Sequence, residues 1–263
     1  QEYGVACLEK FRGMFAFALW DARLGKLILC RDRAGVKPLY YYRKDGLLLF
    51  ASELKALHEH PGFKKEIDHE ALALFLQFGY IPAPHTIFQD TFKLQPGSYL
   101  EIDADGNINE ARYWDIASFY QLESFQKSED EIVEELESIL LESFRYRTVA
   151  DVPVGVFLSG GLDSSTVAVL LQEQAKLPIK TFTVGFHEKG YDEAPFAKKI
   201  ARSLGTEHNE LYCTKEMAAA VIPQLPDMYD EPFGDSSAIP TYLVSRFARE
   251  QVKVALSGDG GDE

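Results

Sequence analysis

The chain has 263 residues, room for two ordinary domains, and its 46% hydrophobic and 26% charged content is that of a globular protein with a sizeable core. A formal net charge of −14 excludes an extended nucleic-acid surface, which needs clustered Lys and Arg, but leaves room for one nucleotide held by backbone dipoles and Mg2+. Cys7, Cys30 and Cys213 form no C-x-x-C pair, and no apolar run reaches about 18 residues. A disulfide framework, a zinc ribbon and a membrane span are therefore not expected, no signal peptide is seen, and the reducing cytoplasm is the default compartment.

Residues 11–52 read as short aromatic-rich strands: "MFAFALWD", "KLILCRD", "PLYYYRK" and "LLLFASE". Turn signals separate them, and Lys44-Asp45-Gly46 predicts a hairpin, so the neighbours are antiparallel. "RDR" at Arg31–Arg33 reads as a structural ion pair or turn, and Cys7 and Cys30 as core residues. Residues 69–78 have helical spacing, "YIPAPHTIF" must be extended, and "GSYLEID" and "NINEARYW" form a second hairpin around Ala104-Asp105-Gly106. The expected division is a first domain over 1–115, a polar linker over 116–127 and a second domain over 128–263.

Ser128 and Glu131 have capping-box spacing. The helix they open carries Ile132, Val133, Leu136, Ile139, Leu140 and Phe144 in one stripe, which predicts a helix packed on a core. From 150 the pattern alternates. Strands "VPVGVFL", "IKTFTVGF", "EHNELYC" and "VKVALSG" are interleaved with helices "STVAVLLQEQA", "EAPFAKKIARSLG", "KEMAAAVI" and "AIPTYLVSRFAREQ". The fold class is thus an α+β part with antiparallel sheet, followed by an α/β doubly wound parallel sheet. Ligands in such sheets bind beyond the carboxyl ends of the strands, where Ser159–Ser165, Val184–Phe186 and Ser257–Glu263 fall.

"SGGLDSS", residues 159–165, carries the chemistry. Gly160 and Gly161 let the backbone turn tightly against an anion, and the following helix points unsatisfied N–H groups at the same place. Ser159, Ser164 and Ser165 add hydroxyl donors. Asp163 repels phosphate but can hold a Mg2+ that bridges to it. The loop lacks the G-K-[ST] of a P-loop. A bare Gly-Gly turn with a serine cap is an ordinary structural feature; the full pattern between a strand and a helix is not.

"LSGGLDSS" resembles the pyrophosphate loop of the N-type ATP pyrophosphatases, which cut ATP between the α and β phosphates. With "FRGMFAFALWD", "LILCRDRAGVKPLYYY", "GYIPAPHTIF", "KLQPGSYLEI", "YDEAPFAKKIARSLGTEHNE", "DEPFGDSSAIPTYLVSR" and "ALSGDGGDE" in this order, the chain resembles the glutamine-hydrolysing asparagine synthetase family over nearly its whole length. The resemblance implies that residues 1–115 are the later part of an N-terminal-nucleophile glutaminase (a glutamine amidotransferase of class II) and that 128–263 open the synthetase domain. It also implies ATP and Mg2+ as cofactors, with aspartate and glutamine or ammonia as partners, and it leaves a homodimer open.

By that resemblance Ser159, Gly160, Gly161, Asp163, Ser164 and Ser165 form the pyrophosphate loop, and Leu158 and Val184 line the adenine pocket. Ser257 and Gly258 are a second nucleotide contact, Asp163 and Asp262 the metal acids, and Asp259 a catalytic acid where the family's asparagine makers carry Glu. Asp235 and Ser236 help shape the acceptor site. The shorter Asp259 and "DEPFGDSS" keep other carboxylate acceptors open, as in β-lactam synthetase relatives or cell-surface polymer amidation, and a non-catalytic nucleotide-binding remnant is a further reading. A tRNA thiolase would need catalytic cysteines and a basic face, and neither is seen. The start at Gln1, without the family's N-terminal cysteine, and the stop on a glycine-rich loop lead us to expect an internal piece of a longer protein without glutaminase activity of its own.

Overall fold

The structure, a computed structural model, describes residues 2–121, 126–188, 190 and 192–260. The chain divides into two compact units, Gln1–Ser124 with Pro226–Asp235, and Phe125–Leu225 with Ser236–Glu263. Among the described residues no helix is long and apolar enough to cross a membrane.

The first unit holds β1 (Ala16–Asp21), β2 (Lys26–Arg31), β3 (Tyr40–Lys44), β4 (Leu47–Ala51), α1 (Leu54–His58), α2 (His69–Phe78), β5 (Thr91–Lys93), β6 (Ser98–Ile102) and β7 (Ile108–Arg112). They form two antiparallel sheets, β1-β2-β6-β7 and β4-β3-β5. The expected hairpin closes β3 onto β4, with Asp45 and Gly46 at φ 50° and 79°, as a two-residue primed turn requires. Strand periodicity assigns the faces. Tyr41 joins Leu29, Leu94 and Leu100 in one core cluster, while its neighbours Tyr40 and Tyr42 face Leu54, Leu57 and Phe63 in another. β5 was not legible, because three residues show no alternation.

The Arg31–Arg33 stretch is a turn scaffold. Asp32, 1% exposed, accepts from the backbone N–H groups of Phe15, Val36 and Lys37, and the Arg31 guanidinium donates to the carbonyls of Gly35, Lys37 and Leu94. Cys30 is buried as expected, and burial pushes its thiol up to about 12, whereas Cys7 is only half-buried on a short 3-10 turn.

Residues 226–235, expected with the second domain, belong to this first unit. Asp230 accepts from Leu54 N at 2.6 Å and faces Lys55 Nζ at 3.5 Å. Glu231 accepts from Ile87 N at 3.3 Å and pairs with Lys93, both side chains being mostly buried. Burial raises the Glu231 carboxyl against the opposing pull of Lys93. Gly234 N donates to Gly79 O at 2.6 Å. Such pairings across ~140–180 residues carry no local signal, so the sequence pattern could not assign this segment.

The second unit begins with α3 (Glu129–Arg147), then β8 (Val154–Phe157), α4 (Leu162–Gln174), β9 (Lys180–Phe186), α5 (Ala194–Leu204), β10 (Glu207–Cys213), α6 (Lys215–Val221), α7 (Leu225–Met228, crossing the boundary), α8 (Ala238–Arg249) and β11 (Val254–Leu256). The sheet is all parallel in the order β10-β9-β8-β11. Both faces are covered. Val156 and Leu158 pack on Val167, Ala168 and Leu171 of α4 and on Ala197 and Ala201 of α5, while Phe157 and Phe182 pack on Phe247 and Ala248 of α8.

The capping box forms: Ser128 Oγ accepts from Glu131 N, and the Glu131 carboxylate accepts from Ser128 N at 2.8 Å. The packed stripe does not. No residue of α3 is buried, and Ile132, Val133, Leu136 and Ile139 are 39%, 56%, 53% and 56% exposed. Only the last turns meet the unit, with Phe144 against the α4–α5 core and Leu141 O accepting from Gln174 Nε2. Amphipathic spacing specifies a face for burial, and here the described residues supply a cover for its C-terminal end alone.

Two substitutions separate these environments. Lys93→Met leaves Glu231 as a buried unpaired acid and should cost about 3–5 kcal/mol. Leu136→Gln on the exposed stripe should change stability by less than about 0.5 kcal/mol. Urea unfolding of both variants checks the pair.

Candidate functional site

The order β10-β9-β8-β11 has a consequence for function. β8 comes first in the chain and lies between β9 and β11, so the direction of winding reverses beside it. At such a switch the connections leave in opposite directions and open a crevice at the strands' carboxyl ends. A cavity of about 390 Å³ lies there, within the range of small-ligand sites.

The loop after β8 forms its floor. Leu158 N donates to Phe182 O at 2.9 Å, which keeps the chain in register with β9 up to the last residue before the turn. Gly160 then takes φ 90°, and a Cβ there would stand 2.8 Å from both Phe196 Cβ and Ala197 N of α5. Conformation and packing each demand glycine. The Ser159 and Ser164 hydroxyls lie 3.0 Å apart, and Gly161 N donates to Ser159 Oγ at 3.2 Å, so the serines brace the turn. α4 starts at Leu162, three residues earlier than the sequence pattern suggests, and its N-cap Gly161 offers no side-chain cap. The N–H groups of its first turn are left for a ligand.

β11 supplies the opposite wall. A Cβ on Gly258 would stand 2.7 Å from Ser164 N and 2.9 Å from Asp163 Cβ, so the Ser257–Asp259 loop lies directly on the N-terminus of α4. Ser257 Oγ donates to Asp259 Oδ2 at 2.9 Å and fixes that carboxylate.

Of the residues singled out from sequence, Leu158, Ser159, Gly161, Asp163, Ser164, Val184, Ser257, Gly258 and Asp259 line the cavity together. Gly160 shapes the loop from behind, and the Ser165 hydroxyl is engaged with Gly161 O at 2.5 Å. Asp235 and Ser236 are exposed and do not line the cavity; Asp235 counts with the first unit and Ser236 with the second. Asp262 lies outside the described residues. Phe186, within the strand-end segment Val184–Phe186, lines the cavity too, whereas sequence reasoning missed Phe157, Phe182, Thr183, Glu193, Pro240, Thr241 and Val244. Pro240, Thr241 and Val244 belong to α8, which the sequence pattern gave only as a helix, and Glu193 follows an aspartate with the commoner capping chemistry.

Among the described residues the lining holds three carboxylates, Asp163, Glu193 and Asp259, and no Lys, Arg or His. Among the described residues no three His, Cys, Asp or Glu side chains stand together as a ready metal cage. A divalent cation here would be held by one or two acids and by the oxygens of its ligand, the usual mode for Mg2+. Asp163, in the first turn of α4, fits that part.

The loop geometry predicts the behaviour of Gly160→Ala. Left-handed strain and the contact with α5 together should cost about 2–4 kcal/mol and distort the N–H cradle. A fall in melting temperature together with lost nucleotide affinity in calorimetry is the expected result.

The chain matches the asparagine synthase family over residues 135–263 and the glutamine amidotransferase domain family over residues 1–114. It is 40% identical over 264 residues to a Methanocaldococcus jannaschii protein provisionally named glutamine-hydrolysing asparagine synthetase 2, covering 99% of this chain and 50% of that one. It is 38% identical over 263 residues to the glutamine-hydrolysing asparagine synthetase 1 of Bacillus subtilis, covering 100% of this chain and 41% of the relative. The chain thus spans about half the length of the curated relatives it matches. Among solved structures, the NH3-dependent NAD synthetase of Campylobacter jejuni overlaps 49% of this chain and 56% of its own at 15% identity and a TM-score of 0.34. With an amidotransferase segment followed by a synthase segment whose loop forms an open N–H cradle, the chain belongs to the glutamine-hydrolysing asparagine synthetase family.

Proposed function

We propose that this chain carries the ATP site of a glutamine-dependent amidoligase. That enzyme activates the side-chain carboxylate of aspartate as β-aspartyl-AMP and lets ammonia displace AMP, giving asparagine, AMP and pyrophosphate. The observation that carries the reading is the uncapped N-terminus of α4 at the β8 switch, set in a cavity whose described residues bring serine donors and acids but no basic side chain. A P-loop lysine serves transfer of the γ-phosphoryl group. Here N–H groups cradle a pyrophosphate that departs whole, and no lysine is called for.

The roles follow from placement. Leu158 and Val184 border the space for the adenine, with Phe182 behind it. The first-turn N–H groups of α4 with Ser159 and Ser164 orient the β and γ phosphates. Asp163, with Asp262, would hold Mg2+, which when bound neutralises the phosphate charge that this acidic lining cannot. Ser257 and Gly258 position the nucleotide from the other wall. Asp259, held through Oδ2 by Ser257, leaves Oδ1 to take a proton from the attacking amine, as a carboxylate base can. A carboxylate is a poor electrophile; adenylation turns its oxygen into part of a leaving group, so a neutral amine can attack. Asp235 and Ser236 retain the acceptor role that the family resemblance assigns them. The first unit, by the same resemblance, is the later part of an N-terminal-nucleophile glutaminase that delivers the ammonia.

The test uses the longer native protein with amide-labelled glutamine, ATP, Mg2+ and aspartate. Labelled asparagine with equimolar AMP and pyrophosphate is expected, and Asp163→Asn should lower pyrophosphate release by at least about a hundredfold, the scale of losing a charge-stabilising group at the reacting phosphates. Glutamine hydrolysis without asparagine would transfer the reading to another carboxylate acceptor, and full turnover in Asp163→Asn would remove the metal assignment.

A further inference from the structure

Among the described residues, Glu193 is the one carboxylate of the cavity to which the reading above gives no task. Its backbone is fixed with care. Asp192 Oδ1 accepts from Phe186 N at 3.3 Å and from Ala194 N at 3.2 Å, which ties the turn before α5 to the end of β9. A Cβ on Gly185 would stand 2.9 Å from Ala194 Cβ, so this turn lies against the strand. Asp192 therefore does the capping, and Glu193, formally the N-cap, makes no side-chain cap bond. Its carboxylate is left at the exposed rim of the cavity.

Asp163 and Asp259 lie together where Gly258 meets the first turn of α4. Glu193 stands between Asp192 and Ala194, which meet Phe186 N and Gly185 at the end of β9. It shares the cavity with Val184 of the same strand, part of the wall assigned to the nucleoside. The deepest parts of that wall are Leu158 and Phe182, 1% and 0% exposed, which suit a flat base. The sugar then comes at the rim. An ionised carboxylate only accepts hydrogen bonds, and a vicinal diol offers two donors, the pairing by which an acid reads ribose in dinucleotide-binding sheets.

We propose that Glu193 is a specificity-determining residue whose carboxylate accepts hydrogen bonds from the 2′- and 3′-hydroxyls of the bound nucleotide. This rests on the ATP reading of the cavity. The test is calorimetric titration of the 263-residue chain with the Mg2+ complexes of ATP, 2′-deoxy-ATP and 3′-deoxy-ATP. The unaltered chain should bind ATP about tenfold more tightly than either deoxy form, the worth of one hydrogen bond to a charged group. Glu193→Ala should bind all three alike and more weakly than the unaltered chain binds either deoxy form, because both hydrogen bonds are lost, and Glu193→Gln, which keeps one acceptor, should fall between. A Glu193→Ala chain that still prefers ATP overturns the proposal. So does one that weakens equally toward all three and loses its dependence on Mg2+, which would give the carboxylate to the cation. If the unaltered chain binds none of the three, the nucleotide reading of the cavity fails first and the proposal falls with it.

Discussion

Everything in the site depends on the N-terminus of α4 being left without a cap of its own. A helix start carries four unpaired N–H groups, and proteins normally give the first of them a Ser, Thr, Asp or Asn. This chain does so at α2, where Asp68 accepts from Glu70 N and Ala71 N, and at α6, where Thr214 accepts from Met217 N. At α4 the cap position is Gly161, and the nearby serine hydroxyls bond to each other and to loop backbone instead. The helix is held in place by its neighbours rather than by its start. Gly160 fits against α5, Gly258 fits against Asp163 and Ser164, and Val167, Ala168 and Leu171 anchor the body on β8. Packing supplies the rigidity that the missing cap would otherwise help provide, and the N–H groups stay free for a ligand.

The electrostatics of the lining then restrict what that ligand is. Among the described residues, three carboxylates without a cationic side chain repel a bare anion, yet an N–H cradle is of use only to an anion. The two demands are compatible for an anion that arrives with its own divalent cation. They are also compatible for a ligand with distinct parts, one polyanionic and one rich in donors. A nucleoside triphosphate with Mg2+ meets both conditions. A lone phosphate meets neither as well, because the acids on either side of the cradle would have nothing to bind.

How much of this was legible in the sequence follows from the range of the forces involved. The β3–β4 hairpin, the capping box at Ser128 and Glu131 and the four parallel strands rest on local rules, and the structure shows them. The cradle was legible too, because strand, loop and helix start are contiguous. Glu193 and Thr241 reach the cavity through sheet order, which no local pattern encodes, so they were found only in three dimensions. The packing of 226–235 with the first unit was hidden for the same reason. Asp230 and Glu231 look like surface acids until Leu54 N, Ile87 N and Lys93 are seen around them.

The stripe on α3 shows the same limit from the other side. Its spacing is that of a buried face, and its N-terminus carries a full capping box, so local rules agree that it is a helix with one apolar side. Those rules fix which residues share a face. They do not fix what covers it, because burial is a property of the partner surface as much as of the helix. Phe144 finds its partner in the α4–α5 core, and Ile132 to Ile139 do not find one among the described residues. A helix can therefore obey every local criterion while its packing stays unspecified. The cradle differs because its partner requirement is written into the backbone itself: a Cβ at Gly160 or Gly258 would collide with α5 or α4, so at those positions the residue type already implies the neighbour. That is why glycines at strand ends, more than apolar periodicity, carried the reading of this site.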